Sequence, residues 1–139
     1  MTIKRNILLN PGPATTTDTV KAAQLVPDIC PREREFGALM RTLGTDLLRV
    51  VQADPMQWAT VLFCGSGTIC MDACVSSLVP AEKKLLIINN GAYSARAAAI
   101  ARAYGVPHID LTFPADELPD LAVIERALEE NPEIAAVYA

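Results

Sequence analysis

Apolar and polar positions follow two different periods along this chain. Between residues 33 and 52, Phe36, Leu39, Met40, Leu43, Leu47 and Val51 recur every three or four positions, which predicts a long amphipathic helix with one face to bury. Before it, Thr17 or Asp18 can cap a short helix through Gln24, and the stretch from Pro27 to Pro31 ends it. From Thr60 onward the pattern shortens. Apolar runs at Thr60–Phe63, Lys84–Ile88, Val106–Leu111 and Glu133–Ala139 read as strands, and their near-continuous apolar character predicts burial on both faces. Helical patterns lie between them, one running to Leu78, one over Tyr93–Tyr104 closed by Gly105, and one from about Asp120 to Glu130 stopped by Asn131-Pro132. Alternating strands and helices predict an α/β fold, a doubly wound and mainly parallel sheet with flanking helices and right-handed crossovers.

Composition narrows the function more than the fold. With 139 residues, 51% of them apolar, the chain can build one compact α/β domain at most. The net charge of −4 comes from interspersed acids and bases, so there is no basic face for nucleic acid and no polybasic patch for a membrane. A small-molecule partner is expected. Only Ile7-Leu-Leu9 separates the polar start from Asn10-Pro-Gly-Pro13, and no apolar run reaches membrane-spanning length, which reads as a cytoplasmic protein without a signal peptide. Cys30, Cys64, Cys70 and Cys74 lack metal-ligand spacing, and the single histidine, His108, falls in a strand. The cysteines are expected to be small buried hydrophobes, and no metal site is expected.

The chemistry concentrates in Ala59-Thr-Val-Leu-Phe-Cys-Gly-Ser-Gly-Thr68, where an apolar run meets a tight turn that opens a helix. Free N–H groups and the positive end of a helix dipole make such a turn a seat for an anion. Glycines permit close approach, and the hydroxyls of Ser66 and Thr68 add donors. A nucleotide P-loop requires Lys-Ser/Thr after its last glycine, whereas Thr68-Ile69 stands here. A dinucleotide fingerprint has its third glycine replaced by Cys70, and Asn89-Asn90 stands where a ribose-binding acid belongs. Two readings stay open: the terminal phosphate of a small cofactor, and a plain strand-to-helix turn with small residues for close packing.

Three segments, Leu8-Leu-Asn-Pro-Gly-Pro-Ala14, Cys64-Gly-Ser-Gly-Thr68 and Asn89-Asn-Gly-Ala-Tyr-Ser-Ala-Arg96 followed by Ala101-Arg-Ala-Tyr-Gly105, carry a resemblance over essentially the whole chain. It resembles the opening of class V, fold-type I pyridoxal-phosphate aminotransferases. Within that group it is most similar to the 2-aminoethylphosphonate:pyruvate transaminases, with alanine:glyoxylate and serine:pyruvate aminotransferases as near relatives. The resemblance implies pyridoxal 5'-phosphate as cofactor, an amino donor and a 2-oxo acid as substrates, and a homodimer. It implies that Ser66, Gly67 and Thr68 hold the cofactor phosphate and that Tyr93 stacks on the pyridine ring, a role that suits a flat apolar face on the same rim. Gly12 would offer a backbone N–H near the substrate's acid group. Arg32 departs from the pattern, since Ile29-Cys-Pro-Arg-Glu-Arg-Glu-Phe36 is similar to a phosphoserine aminotransferase segment whose arginine contacts a substrate phosphate. A guanidinium fork suits phosphonate oxygens, so Arg32 is a candidate substrate ligand; the alternative is a solvated helix start paired with Glu33 and Glu35.

The same resemblance implies a Schiff-base lysine, an aspartate for the pyridine nitrogen and a carboxylate-binding arginine that all lie beyond Ala139. Lys4, Lys21, Lys83 and Lys84 do not match that position, and Asp110, although near a strand's carboxyl end, is not assigned to the pyridine. The expected organisation is an arm over 1–17 and an incomplete cofactor-binding domain over 18–139, inactive by itself. Another class V enzyme, or a non-catalytic phosphate-binding α/β module, remains as an alternative.

Overall fold

The computed structural model describes residues 6–10 and 12–139. Residues 1–5 and 11 lie outside it, and with them Lys4, the start of the arm and one proline of the Asn10–Ala14 turn. The chain divides into two compact units, Met1–Val61 and Leu62–Ala139.

In the first unit, Thr17 Oγ1 accepts from Val20 N–H at 3.4 Å and so caps α1 (Asp18–Ala22), as its position before Asp18 predicts. Helix α2 (Arg34–Val50) follows, with Glu33 as its N-cap. It has the predicted length, yet none of its residues is buried, and Leu39, Leu43 and Leu47 stay 52%, 43% and 38% exposed. After the helix the chain doubles back: Thr60 Oγ1 donates to Gly44 O at 2.8 Å.

The second unit carries α3 (Gly67–Ser77), β1 (Lys84–Asn89), α4 (Ala92–Tyr104), β2 (His108–Thr112), α5 (Leu121–Glu130) and β3 (Ile134–Tyr138). The strands form one parallel sheet in the order β2-β1-β3, with Leu86 opposite Ile109 on one side and opposite Val137 on the other. The chain therefore adds β2 to one edge of β1 and then crosses to its other edge, as a doubly wound sheet does. Gly105 ends α4 at φ +67°, a left-handed conformation that favours glycine. Asp120 caps α5 by accepting from Ala122 N–H at 2.9 Å.

Among the described residues β1 is the strand paired on both edges, and it holds the core. Leu85 and Ile87 pack with Val75 of α3 and Ala97, Ala98 and Ala101 of α4; the alanines let α4 lie close to the sheet. Leu86, fully buried, alternates onto the opposite face. There Ile88 lines a cavity together with Leu121 and Ile124 of α5.

Three expectations need correction. Thr60–Phe63 is not a strand: among the described residues no strand pairs with this segment, and Val61, Leu62 and Phe63 are 73%, 40% and 50% exposed. Nor are β2 and β3 buried on both faces, since each mixes half-buried with exposed positions and has no fully buried residue. The four cysteines are free and exposed rather than buried; for Cys70 and Cys74 the reason is that Val75 is the residue of α3 buried against the core.

Candidate functional site

The Gly-Ser-Gly-Thr turn opens α3 as the sequence predicts, with Ser66 as N-cap. Among the described residues, the N–H groups of Gly67 and Thr68 have no carbonyl partner, whereas Ile69 N–H returns to Ser66 O at 3.0 Å. Ser66 makes no side-chain capping bond, and the first turn holds no acid. Space within 4 Å of Gly67 is empty where a Cβ would stand, while a Cβ on Gly65 would come within 3.2 Å of Ile69. Two backbone donors without a carbonyl partner and a serine hydroxyl without a capping bond thus stand at the positive end of a helix. That donor set fits a phosphate and repels nothing about it.

Helix α4 brings the second group. Its entry is fixed by Ser94, which is 3% exposed and accepts from Asn90 N–H at 3.1 Å, holding the Asn90-Gly91 turn at the carboxyl end of β1. One residue earlier, Tyr93 stands in the first turn of α4 with its ring 56% exposed. Three residues further, Arg96 reaches both neighbours: Nη1 donates to Thr68 Oγ1 at 2.9 Å, and Cζ lies 5.6 Å from the Tyr93 ring centroid. The turn residues and Tyr93, both expected on one rim, are therefore joined through a side chain that sequence reasoning did not place among the site residues. The signal was present, because positions 93 and 96 share one face of a helix.

Gly12 and Arg32 belong to the first unit. Gly12 is exposed, with nothing near its Cα, and Arg32 is exposed in the turn before α2. Arg32 makes no ion pair or hydrogen bond among the described residues, so the pairing with Glu33 and Glu35 is not formed.

Other chemistry-bearing residues are occupied. Asp110 accepts from Asn89 Nδ2 at 2.9 Å and pairs with Arg102 at 3.6 Å. Lys84, at the amino end of β1, pairs with Glu133 at 2.6 Å, and this bond holds the Glu133 carboxyl below its usual range. His108 lies in β2 with Nδ1 2.8 Å from Val106 O. Between β1, β3 and α5 is a cavity of about 420 Å³, lined by Ile88, Leu118, Pro119, Leu121 and Ile124 with Asn90 as its one polar side chain. No charged side chain lines it. Among the described residues, no helix is long and apolar enough to cross a membrane.

No protein-family model matches the chain. It is 39% identical over 129 residues to a 2-aminoethylphosphonate–pyruvate transaminase of Lactiplantibacillus plantarum, an alignment covering 92% of this chain and 35% of that protein. It is 35% identical over 131 residues to a bifunctional phosphonoacetaldehyde hydrolase/aminoethylphosphonate transaminase of Clostridioides difficile, covering 94% of this chain and 20% of the relative. Among solved structures, an alanine–glyoxylate aminotransferase from Nostoc sp. superposes with a TM-score of 0.78 at 27% identity, over 96% of this chain and 35% of that one. The chain thus spans about a third or less of the length of these proteins. Over nearly its whole length, this chain is homologous to the amino-terminal part of class V aminotransferases.

Proposed function

We propose that these residues form the amino-terminal part of a pyridoxal-phosphate-dependent transaminase that moves the amino group of 2-aminoethylphosphonate to pyruvate, giving phosphonoacetaldehyde and alanine. The observation that carries this reading is the cluster of uncommitted donors at Ser66, Gly67 and Thr68, joined through Arg96 to an exposed aromatic ring. The homology to transaminases over 92% of the chain supports the choice of substrates.

In this reading Ser66, Gly67 and Thr68 hold the cofactor's phosphate, and Tyr93 offers its exposed face to the pyridine ring. Pyridoxal phosphate, when bound, supplies a conjugated ring that accepts electron density from the substrate carbon. The chain's own residues anchor and orient. Gly12 offers a backbone donor, and Arg32, which pairs with no carboxylate among the described residues, offers a fork for the phosphonate. Lys84 is not a candidate for holding the aldehyde, because it is ion-paired at the amino end of β1 while Tyr93 and Arg96 follow its carboxyl end. In this reading the lysine that holds the aldehyde belongs to the part of the relatives outside the match. We place the arm at 1–17 and part of the cofactor-binding domain at 18–139, in a cytoplasmic homodimer.

The test is the visible absorbance of the full-length protein loaded with pyridoxal phosphate. Addition of 2-aminoethylphosphonate should discharge the cofactor band, and pyruvate should restore it with release of alanine. A band discharged by alanine and restored by glyoxylate, with no response to the phosphonate, would instead favour the activity named for the Nostoc structure.

A further inference from the structure

We infer that Arg96 is a positioning residue for the phosphate seat: it fixes the Thr68 hydroxyl as an acceptor toward itself, so that the hydroxyl's own hydrogen is turned to the phosphate. The inference rests on the proposed cofactor reading and extends it to a residue outside the phosphate turn.

The direction of the bond follows from chemistry. A guanidinium has donors only, so Thr68 Oγ1 must accept from Arg96 Nη1 across their 2.9 Å contact. A hydroxyl has a single hydrogen, and that hydrogen now needs another acceptor. Elsewhere in α3 the hydroxyls satisfy themselves within the helix: Ser76 donates to Asp72 O at 2.7 Å, and Ser77 donates to Ala73 O. Thr68 has no such bond to a carbonyl among the described residues. Its hydrogen is therefore available at the same helix end as the N–H groups of Gly67 and Thr68.

Arg96 is itself held. Its stem rises from α4 one turn after Tyr93, and its Cζ lies 5.6 Å from that ring's centroid, near enough for a cation–π contact. One cation thus couples the two groups assigned to the cofactor's opposite ends, its phosphate and its ring. No acid competes with Thr68 for the guanidinium, since no ion pair involves Arg96 among the described residues.

The experiment is a titration of the full-length apoprotein, followed by fluorescence, with pyridoxal phosphate and separately with pyridoxal, which lacks the phosphate. Arg96→Met keeps the exposed stem and removes every donor. It should weaken pyridoxal phosphate by roughly tenfold to a hundredfold, the range for a lost charge-assisted hydrogen bond, and leave pyridoxal affinity unchanged. Thr68→Val should do the same, and the double variant should be little worse than either single one, because both remove the same bond. Fully additive losses would overturn the relay, since Arg96 would then act without Thr68. If Thr68→Val weakens the phosphate form and Arg96→Met does not, the inference fails while the cofactor reading stands. If neither variant changes the affinity, both fail. Equal loss of pyridoxal and pyridoxal phosphate in Arg96→Met would show a merely structural role and overturn the inference as well.

Discussion

Tyr104, the last residue of α4, donates its phenol hydrogen to Asp72 Oδ2 of α3 across 3.0 Å. With Arg96 and Thr68 forming the other polar bridge, the two helices are tied at two levels, and both bridges advance in the same chain direction. The bond to Asp72, and then the charge of that carboxylate, raise the Tyr104 phenol above its ordinary value. A raised folded value means that this contribution to stability is complete below the ordinary tyrosine range and is lost as the pH climbs through the raised one. Ultraviolet titration of the wild type minus Tyr104→Phe should isolate a phenol that ionises later than a free tyrosine. Asp72→Asn should bring it back toward the ordinary value. A Tyr104 titrating normally in the wild type would mean that the bridge does not form in solution.

Ser66 sits at the N-cap with its hydroxyl uncommitted. In the full-length protein, Ser66→Ala should weaken retention of pyridoxal phosphate by about 1–3 kcal/mol, the usual cost of losing a hydrogen bond to a charged group. Equilibrium dialysis against the cofactor measures it. Unchanged affinity would place the phosphate away from this turn.

Tyr93 separates stacking from hydrogen bonding. With its ring 56% exposed and one side near Arg96, the ring rather than the hydroxyl is the expected contact. Tyr93→Phe should leave cofactor affinity and absorbance nearly unchanged, whereas Tyr93→Ala should loosen the cofactor and shift its spectrum. Greater damage from Phe than from Ala would assign the role to the hydroxyl instead.

How much of this could be read beforehand differs from element to element. The helices were legible because their caps are local: Thr17, Asp120 and Gly105 each act on backbone within a few residues. β1 was legible because a run as apolar as Leu85–Ile88 has to be covered on both faces. The same inference failed for Thr60–Phe63, since an apolar run becomes a strand only where a partner strand offers hydrogen bonds, and no local pattern reveals a partner. It failed for the cysteines for a related reason: helical spacing gives a face, not what lies against it. At the site, the turn and Tyr93 were found from residue types. The Arg96–Thr68 bond spans 28 positions and follows from α3 and α4 lying side by side, which only the fold supplies.

The misread segment yields a direct contrast. Ile87 is fully buried between β2 and β3 and packs on α3 and α4, so Ile87→Ala removes apolar volume from a site that cannot collapse around the loss. In denaturant unfolding of the 139-residue chain it should cost about 2–5 kcal/mol. Val61 has a comparable aliphatic side chain but stands 73% exposed and unpaired, so Val61→Ala should change stability by no more than about 0.5 kcal/mol. The difference comes from burial alone, since both substitutions cut an aliphatic residue back to its Cβ. Equal losses at the two positions would mean that 60–63 is a covered strand in solution, as its composition had suggested, and that the sheet is wider than three strands.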